Sequence, residues 1–269
     1  MRRLLLLWLL GAALSGWAQQ DPFPRIADAY WLEINGAPVW HKQQDRRLPP
    51  ASLTKMMTAL LVLEQPALPL VLQTTVTVSR AAALETGSRI ALRAGEQLTV
   101  ADLLSATLMA SANDACRALA DHFGGSQAGF VRLMNAQAQQ LGLSNTRFVN
   151  ACGHDAPGHY ASARDLATLA RALIRHPLAL TLASQREQTI RSTDGKRSFV
   201  LKTTNALLGR YPGAVGLKTG HTRQAGDCLV ALAQRGNTQV LLVLLKGADR
   251  WWDAVDVLDL AFDRAAQQR

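Results

Sequence analysis

The chain has 269 residues, enough for one large domain or two closely packed lobes around a substantial core. Hydrophobic residues make up 48% and charged residues 18%, which excludes a disordered chain, and no internal repeat or low-complexity run occurs. The formal charge is +9, or +7 without Arg2 and Arg3; with no nucleic-acid-binding motif in an exported chain, this points to an anionic cell envelope and away from nucleic acid.

Export is read from the first residues. Arg2 and Arg3 precede an unbroken apolar run, Leu4 to Leu10, which Gly11 to Leu14 extend, and Gly16 and Ala18 supply small residues at the two positions a signal peptidase reads. Residues 1–18 are therefore expected to be a signal peptide and 19–269 a single catalytic domain of two lobes. The run is short of the about 20 residues a spanning helix needs. No later segment is long and apolar enough, so the expectation is a periplasmic protein with no transmembrane anchor after cleavage. In that oxidising compartment Cys116, Cys152 and Cys228 allow at most one disulfide and leave one thiol free. They form no C-x-x-C pair, and the reading adopted is small buried hydrophobes. The six histidines are too scattered to imply a ligand set, so no metal and no organic cofactor is expected.

Strand patterning runs from Ala29 to Ile34. Asn35-Gly36 then predicts a tight hairpin turn, because both residues tolerate positive φ, and a second strand follows around Val39 and Trp40. Pro49 and Pro50 end the sheet. Ser52 to Glu64 has an apolar face at helical spacing. Further helices are predicted over Thr99–Leu108, with Thr99 and Asp102 as a capping box, over Asn113–Phe123, over Gln127–Leu141 closed by Gly142, and over Ser162–Arg175, where Ser162 and Asp165 have capping spacing. Val215–Thr219, Cys228–Gln234 and Gln239–Lys246 read as strands. Trp251–Ala265 closes the chain as a helix whose Trp251, Trp252, Val255, Leu258 and Phe262 face is read as core packing, a membrane surface being the alternative. Strands at both ends with helices between predict an α+β fold: one antiparallel sheet built from both chain ends, flanked by helices, with an inserted helical lobe.

Three short motifs stand on these elements in a fixed order. Ser52-Leu53-Thr54-Lys55 is S-x-x-K, Ser111-Ala112-Asn113 is S-x-N, and Lys218-Thr219-Gly220 is K-T-G. Each alone is weak; the ordered trio in an exported chain is strong. Ser52 and Lys55 share a helix face one turn apart. A serine hydroxyl needs a base, and lysine can be that base only if burial or a second cation, here Lys218, lowers its pKa. Pro49, Pro50 and Ala51 place Ser52 at a helix N-terminus, where the dipole favours developing negative charge. Taken singly, Ser52 and Ser111 are ordinary caps and Lys55 a surface charge; the company of the other motifs reverses that preference. Ser111 is expected to relay a proton and Asn113 to bond a substrate amide. Gly216 and Gly220 leave the third strand open to a peptide added along its edge, with Lys218 and Thr219 receiving a terminal carboxylate.

These residues resemble the low-molecular-weight penicillin-binding proteins, the D-alanyl-D-alanine carboxypeptidases. The blocks Pro50–Thr58, Leu108–Ala115, Thr146–Asn150, Tyr160–Leu166 and Gly216–Thr222 carry the resemblance, which spans roughly Pro24 to Phe262. It implies a β-lactamase/transpeptidase-like fold. It also implies a serine enzyme that removes the terminal D-alanine of peptidoglycan stem peptides through an acyl-enzyme at Ser52, with β-lactams as covalent inhibitors. Ser52 would be acylated, Lys55 its base, and Ser111 and Asn113 would assist. Lys218 and Thr219 would bind the carboxylate side, with Gly220 beside them in the substrate-binding set. The N–H groups of Ser52 and His221 would form the oxyanion hole, and Arg250 would pair with the terminal carboxylate. Gly153-His154 replaces the usual Gly-Leu, and the small C-terminal β-domain of larger members is not expected. The rival readings are an endopeptidase of the same family, a β-lactamase, and a non-catalytic wall-binding protein. Asp155 and Asp165 are the only acids between Asn150 and Arg175, so slow β-lactam deacylation is expected.

Overall fold

The structure is a computed structural model and describes residues 21–267; the signal-like segment lies outside the described residues. In chain order, β1 (Ala27–Ile34) and β2 (Ala37–Lys42) form the predicted hairpin. Asn35 and Gly36 turn it with φ of 50° and 81°, the mirror-image turn that matches strand twist. A 3-10 turn (Ala51–Thr54) leads into α1 (Lys55–Leu63), followed by α2 (Leu68–Gln73), β3 (Thr75–Thr77), α3 (Arg80–Ala83) and β4 (Gln97–Thr99). The helices α4 (Val100–Leu108), α5 (Asn113–Gly124), α6 (Gln127–Gln140), α7 (Ala163–Ile174) and α8 (Pro177–Ser184) complete the lobe. A small hairpin of β5 (Glu187–Arg191) and β6 (Ser198–Lys202) precedes β7 (Ala214–Thr222), β8 (Gly226–Arg235), β9 (Thr238–Gly247) and α9 (Trp252–Gln267).

The main sheet is antiparallel throughout, in the order β2-β1-β9-β8-β7. Both chain ends build it, and the helical lobe is inserted between β2 and β7, as the sequence predicts. The central strand β9 shows why. Leu241, Val243 and Leu245 belong to one buried cluster with α1 and α7, while Val240, Leu242 and Leu244 belong to a second with α9. A strand alternates its side chains between faces, so an unbroken apolar run requires cover on both sides. That cover is the helical lobe on one face and α9 on the other.

Four expectations need correction or refinement. The predicted helix from Ser52 begins as a 3-10 turn, closed by Leu53 N–H to the Pro50 carbonyl at 3.2 Å. Beyond the predicted helix ending at Arg175, Pro177 opens a further helix, α8, at its first turn, where its missing N–H costs nothing. Cys116 and Cys152 are joined in a disulfide with Cα atoms 6.0 Å apart, so the reading as small buried hydrophobes holds for Cys228 alone. On α9, Leu258 and Phe262 are buried in the core, but Trp252 is 72% exposed. Among the described residues, no helix is long and apolar enough to cross a membrane.

Candidate active site

The site forms where the 3-10 turn, the start of α5, the loop after α6 and the edge strand β7 converge. Pro50 caps the 3-10 turn, its carbonyl accepting from Leu53 N–H, and Ala51 takes a left-handed φ of 48°, a conformation disfavoured for a residue with a Cβ. Residues three apart eclipse one another in a 3-10 turn. Ser52 and Lys55 therefore stack more directly than an α-helix would place them, and Lys55 Nζ lies 2.8 Å from Ser52 Oγ.

Lys55 is fully buried and has two further partners. Its Nζ donates to Asn113 Oδ1 at 2.7 Å and to the Cys152 carbonyl at 2.7 Å. Each acceptor is held from behind. The loop after α3 clamps Asn113: its backbone N–H donates to the Ser88 carbonyl at 2.7 Å, and its Nδ2 donates to the Thr86 carbonyl. The neighbouring Asp114 carboxylate accepts from Ile90 N and Leu92 N at 3.1 and 3.0 Å. On the other side, Asn150 Oδ1 accepts from the backbone N–H groups of Gly153 and His154 at 2.7 and 3.1 Å and folds the turn that presents the Cys152 carbonyl. The Cys116–Cys152 disulfide ties α5, which starts at Asn113, to that same turn.

Electrostatics follow from this burial. Desolvation and next the charge of Lys218 hold the Lys55 ammonium well below the usual lysine range, against the opposing pull of Glu85 and Asp114. Lys218 is itself buried; burial and the Arg250 charge bring it down to about 7. Its Nζ donates to the Thr219 carbonyl at 3.1 Å, and Thr219 Oγ1 shares a hydrogen bond with Thr204 Oγ1 at 2.7 Å.

Two glycines allow this approach. A Cβ on Gly220 of β7 would lie 3.1 Å from both Ser52 N and the Pro50 carbonyl oxygen. A Cβ on Gly153, which has φ of 91°, would lie 1.9 Å from the Ala51 carbonyl oxygen. Backbone from β7 and from the 150–154 turn thus presses on Ser52 from two directions. The Ser52 N–H belongs to a first turn, where donors have no intrahelical acceptor.

The remaining predicted residues divide. Ser111 stands two residues before Asn113 with a left-handed φ of 56°. It is buried, and its hydroxyl makes no hydrogen bond to Lys55 or Lys218 among the described residues. It is not a helix cap, since Ala112 holds that position. Arg250 reaches the third motif, donating to the Gly220 carbonyl at 2.7 Å. The His221 side chain is largely exposed and pairs through Nδ1 with Asp227 Oδ1 at 2.7 Å.

Sequence reasoning missed several residues around these. Glu85 joins His154 Nε2 at 2.7 Å and Arg117 at 3.2 Å. Burial pushes its carboxyl up, but the bonds and charges of His154 and Arg117 outweigh this and hold it below the usual range. His159 accepts the Val149 N–H at Nδ1 (3.1 Å) and meets Thr54 Oγ1 at Nε2 (2.8 Å), so a neutral ring satisfies both contacts. Only the departure at Gly153-His154 signalled any of this in advance. Glu85 and Asp227 lie outside the motifs.

The sequence pattern of the family described as D-alanyl-D-alanine carboxypeptidase matches residues 32–249. The chain is 36% identical over 282 aligned positions to D-alanyl-D-alanine carboxypeptidase DacF of Bacillus subtilis (strain 168), covering 98% of this chain and 72% of that one. It is 40% identical to D-alanyl-D-alanine carboxypeptidase DacC of Escherichia coli (strain K12) over 75% of this chain, but spans only 51% of that relative's length. The crystal structure of the Streptomyces K15 DD-transpeptidase superposes with a TM-score of 0.83 at 30% identity, covering 90% of this chain and 99% of that one. The antiparallel sheet with its inserted helical lobe is therefore the transpeptidase-like fold. With the family pattern matched over most of its length, the chain belongs to the D-alanyl-D-alanine carboxypeptidase family.

Proposed function

We propose that the chain is a serine D-alanyl-D-alanine carboxypeptidase that removes the terminal D-alanine from peptidoglycan stem peptides and is acylated by β-lactams at Ser52. The observation that carries the reading is the set of partners at Lys55 Nζ. Asn113 Oδ1 and the Cys152 carbonyl can only accept. A neutral amine gives them its two N–H bonds and turns its lone pair to the Ser52 hydroxyl.

In the proposed reaction, Lys55 takes the proton as Ser52 Oγ bonds to the carbonyl carbon of the penultimate D-alanine. The oxyanion that forms is received by the N–H groups of Ser52 and His221. The C–N bond then breaks, and the departing amine receives the proton that Lys55 took; the Ser111 hydroxyl is assigned the relay, coming into hydrogen-bond reach of the amine only once substrate is bound. Water attacks the ester with the same base, releasing the shortened peptide and restoring Ser52. Lys218, Thr219 and Arg250 hold the terminal carboxylate, and Gly220 leaves room for the peptide to lie along β7. The setting we propose is periplasmic, after removal of residues 1–18, with residues 19–269 as one catalytic domain.

The test combines intact-protein mass after penicillin exposure with product analysis. Wild type should gain one penicilloyl group on the peptide containing Ser52, and Ser52→Ala should gain none. Purified enzyme should release D-alanine from a monomeric pentapeptide. Cleavage of cross-linked muropeptide dimers without trimming of monomers would assign the endopeptidase reading instead. Rapid turnover of penicillin would assign a β-lactamase.

A further inference from the structure

Beside the carboxylate-binding end of β7 lies an acid that no motif contains. Asp227 sits directly across from His221 in the β7–β8 ladder. A single oxygen, Oδ1, faces both His221 Nδ1 at 2.7 Å and an Arg250 guanidinium nitrogen at 3.3 Å. The same nitrogen donates to the Gly220 carbonyl. Asp227 is about one-third exposed and Arg250 only 17% exposed, so the pair meets at the rim of a partly desolvated site where charge is weakly screened. The other cation nearby is Lys218, whose pKa is already depressed by burial and by Arg250. Of the acids near this end of β7, Asp227 is bonded to Arg250, whereas Asp155 is bonded to Thr222 and Gln224.

We infer that Asp227 is a specificity-determining residue: its carboxylate competes with the substrate's terminal carboxylate for Arg250 and so sets how sharply the site prefers a free acid over a carboxamide. This rests on the proposed function, in which Lys218 and Arg250 receive that terminus. Without Asp227 the positive charge of Arg250 and Lys218 loses its directly bonded counter-charge, leaving Asp155 at the end of β7 as the remaining acid, and the penalty for masking the terminus grows. With it, the site accepts peptides whose terminal carboxyl is amidated at a smaller loss. Asp227 acts on recognition and not on the Ser52–Lys55 proton transfer, so the effect belongs in binding and KM.

The experiment measures equilibrium binding in a Ser52→Ala background, which needs no turnover. The probes are an acyl-D-alanyl-D-alanine peptide acid and the same peptide as its C-terminal amide. Asp227→Asn, which keeps an acceptor for His221 or Arg250 but removes the charge, is expected to tighten the acid roughly tenfold, as loss of one charge about 6 Å away implies at an effective dielectric constant of about 40. The amide should stay within about twofold. Asp227→Glu, which restores the charge, should return the acid-to-amide ratio to that of the parent. An unchanged ratio in Asp227→Asn, an equal shift for both probes, or no binding of either probe overturns the inference. Turnover by the Ser52 enzyme is read separately: the expected binding ratios without peptide cleavage would sink the proposed reaction and leave the role of Asp227 standing.

Discussion

Lys55 Nζ lies 2.8 Å from Ser52 Oγ at the bottom of a site in which the amine has no solvent contact. The pair is three residues apart, Ser52 on the 3-10 turn and Lys55 at its junction with α1, and both other partners of the amine are carbonyl oxygens. An ammonium there keeps its hydrogen bonds but loses its hydration, whereas the neutral amine loses little. Burial and Lys218 thus act in the direction that makes a base.

Activity should accordingly fall as pH falls, because protonation of Lys55 removes the proposed base. On the alkaline side, Lys218 loses its proton near 7 in the free enzyme and with it the attraction for a carboxylate. The expected kcat/KM profile is a bell, with the alkaline limb moved upward in kcat, since a bound carboxylate raises the Lys218 pKa. Lys218→Arg, a cation that stays charged, should abolish the alkaline limb. A profile in which Lys218→Arg leaves that limb in place would assign it to another group.

Gly153→Ala should disable acylation. Its Cβ would fall 1.9 Å from the Ala51 carbonyl oxygen and 2.9 Å from Ser52 N. A displacement on the order of 1 Å at a nucleophile costs about 100-fold in rate. Gly195→Ala is the control: it has a similar positive φ of 72° but open space around it. It should cost about 1 kcal/mol of stability and leave the rate of penicillin labelling unchanged. Equal labelling rates in the two variants would show that the contact at Ser52 is dispensable.

Replacing Cys116 and Cys152 together by alanine should lower stability by about 3–4 kcal/mol, the chain-entropy value for a cross-link of this span, whose sequence separation is 36. Thermal unfolding measures that loss. Labelling by penicillin should also slow, since the bond joins the two segments that supply the acceptors of Lys55. A variant that is destabilised but labels at the parental rate would show that Asn150 and the loop after α3 hold those acceptors unaided.

The buried His159 makes stability depend on pH. Burial lowers its pKa from 6.5 to about 4, so between those values the unfolded chain binds a proton that the folded protein does not. The folded state is therefore favoured fully above pH 6.5 and loses stability as pH falls toward 4, by at most about 3 kcal/mol. Urea unfolding of wild type and His159→Gln across this window should give a shallower slope for the variant. Parallel slopes would place the acid sensitivity elsewhere.

The order S-x-x-K, S-x-N, K-T-G, the strands at both ends and the helices between them were legible because each rests on local chemistry. Period-2 and helical apolar patterns, Asn35-Gly36, the Thr99–Asp102 cap and the glycines after α5 and α6 declare themselves within a few residues. The small elements were not: α2, α3 and the short strands β3 to β6 have too few residues for a period to show, and signals as brief as the Ser79 cap of α3 do not stand out from a loop. The disulfide partner of Cys116, the Cys152 carbonyl at Lys55, the Glu85 ion pairs and the Asp227–Arg250 pair join residues distant in sequence. No local pattern encodes a meeting of segments that only the folded chain brings together. The sequence thus determined which chemical groups are present and on which elements they ride; the tertiary structure decided which of them share a low-dielectric space, and it is that sharing that lowers the lysine pKa values.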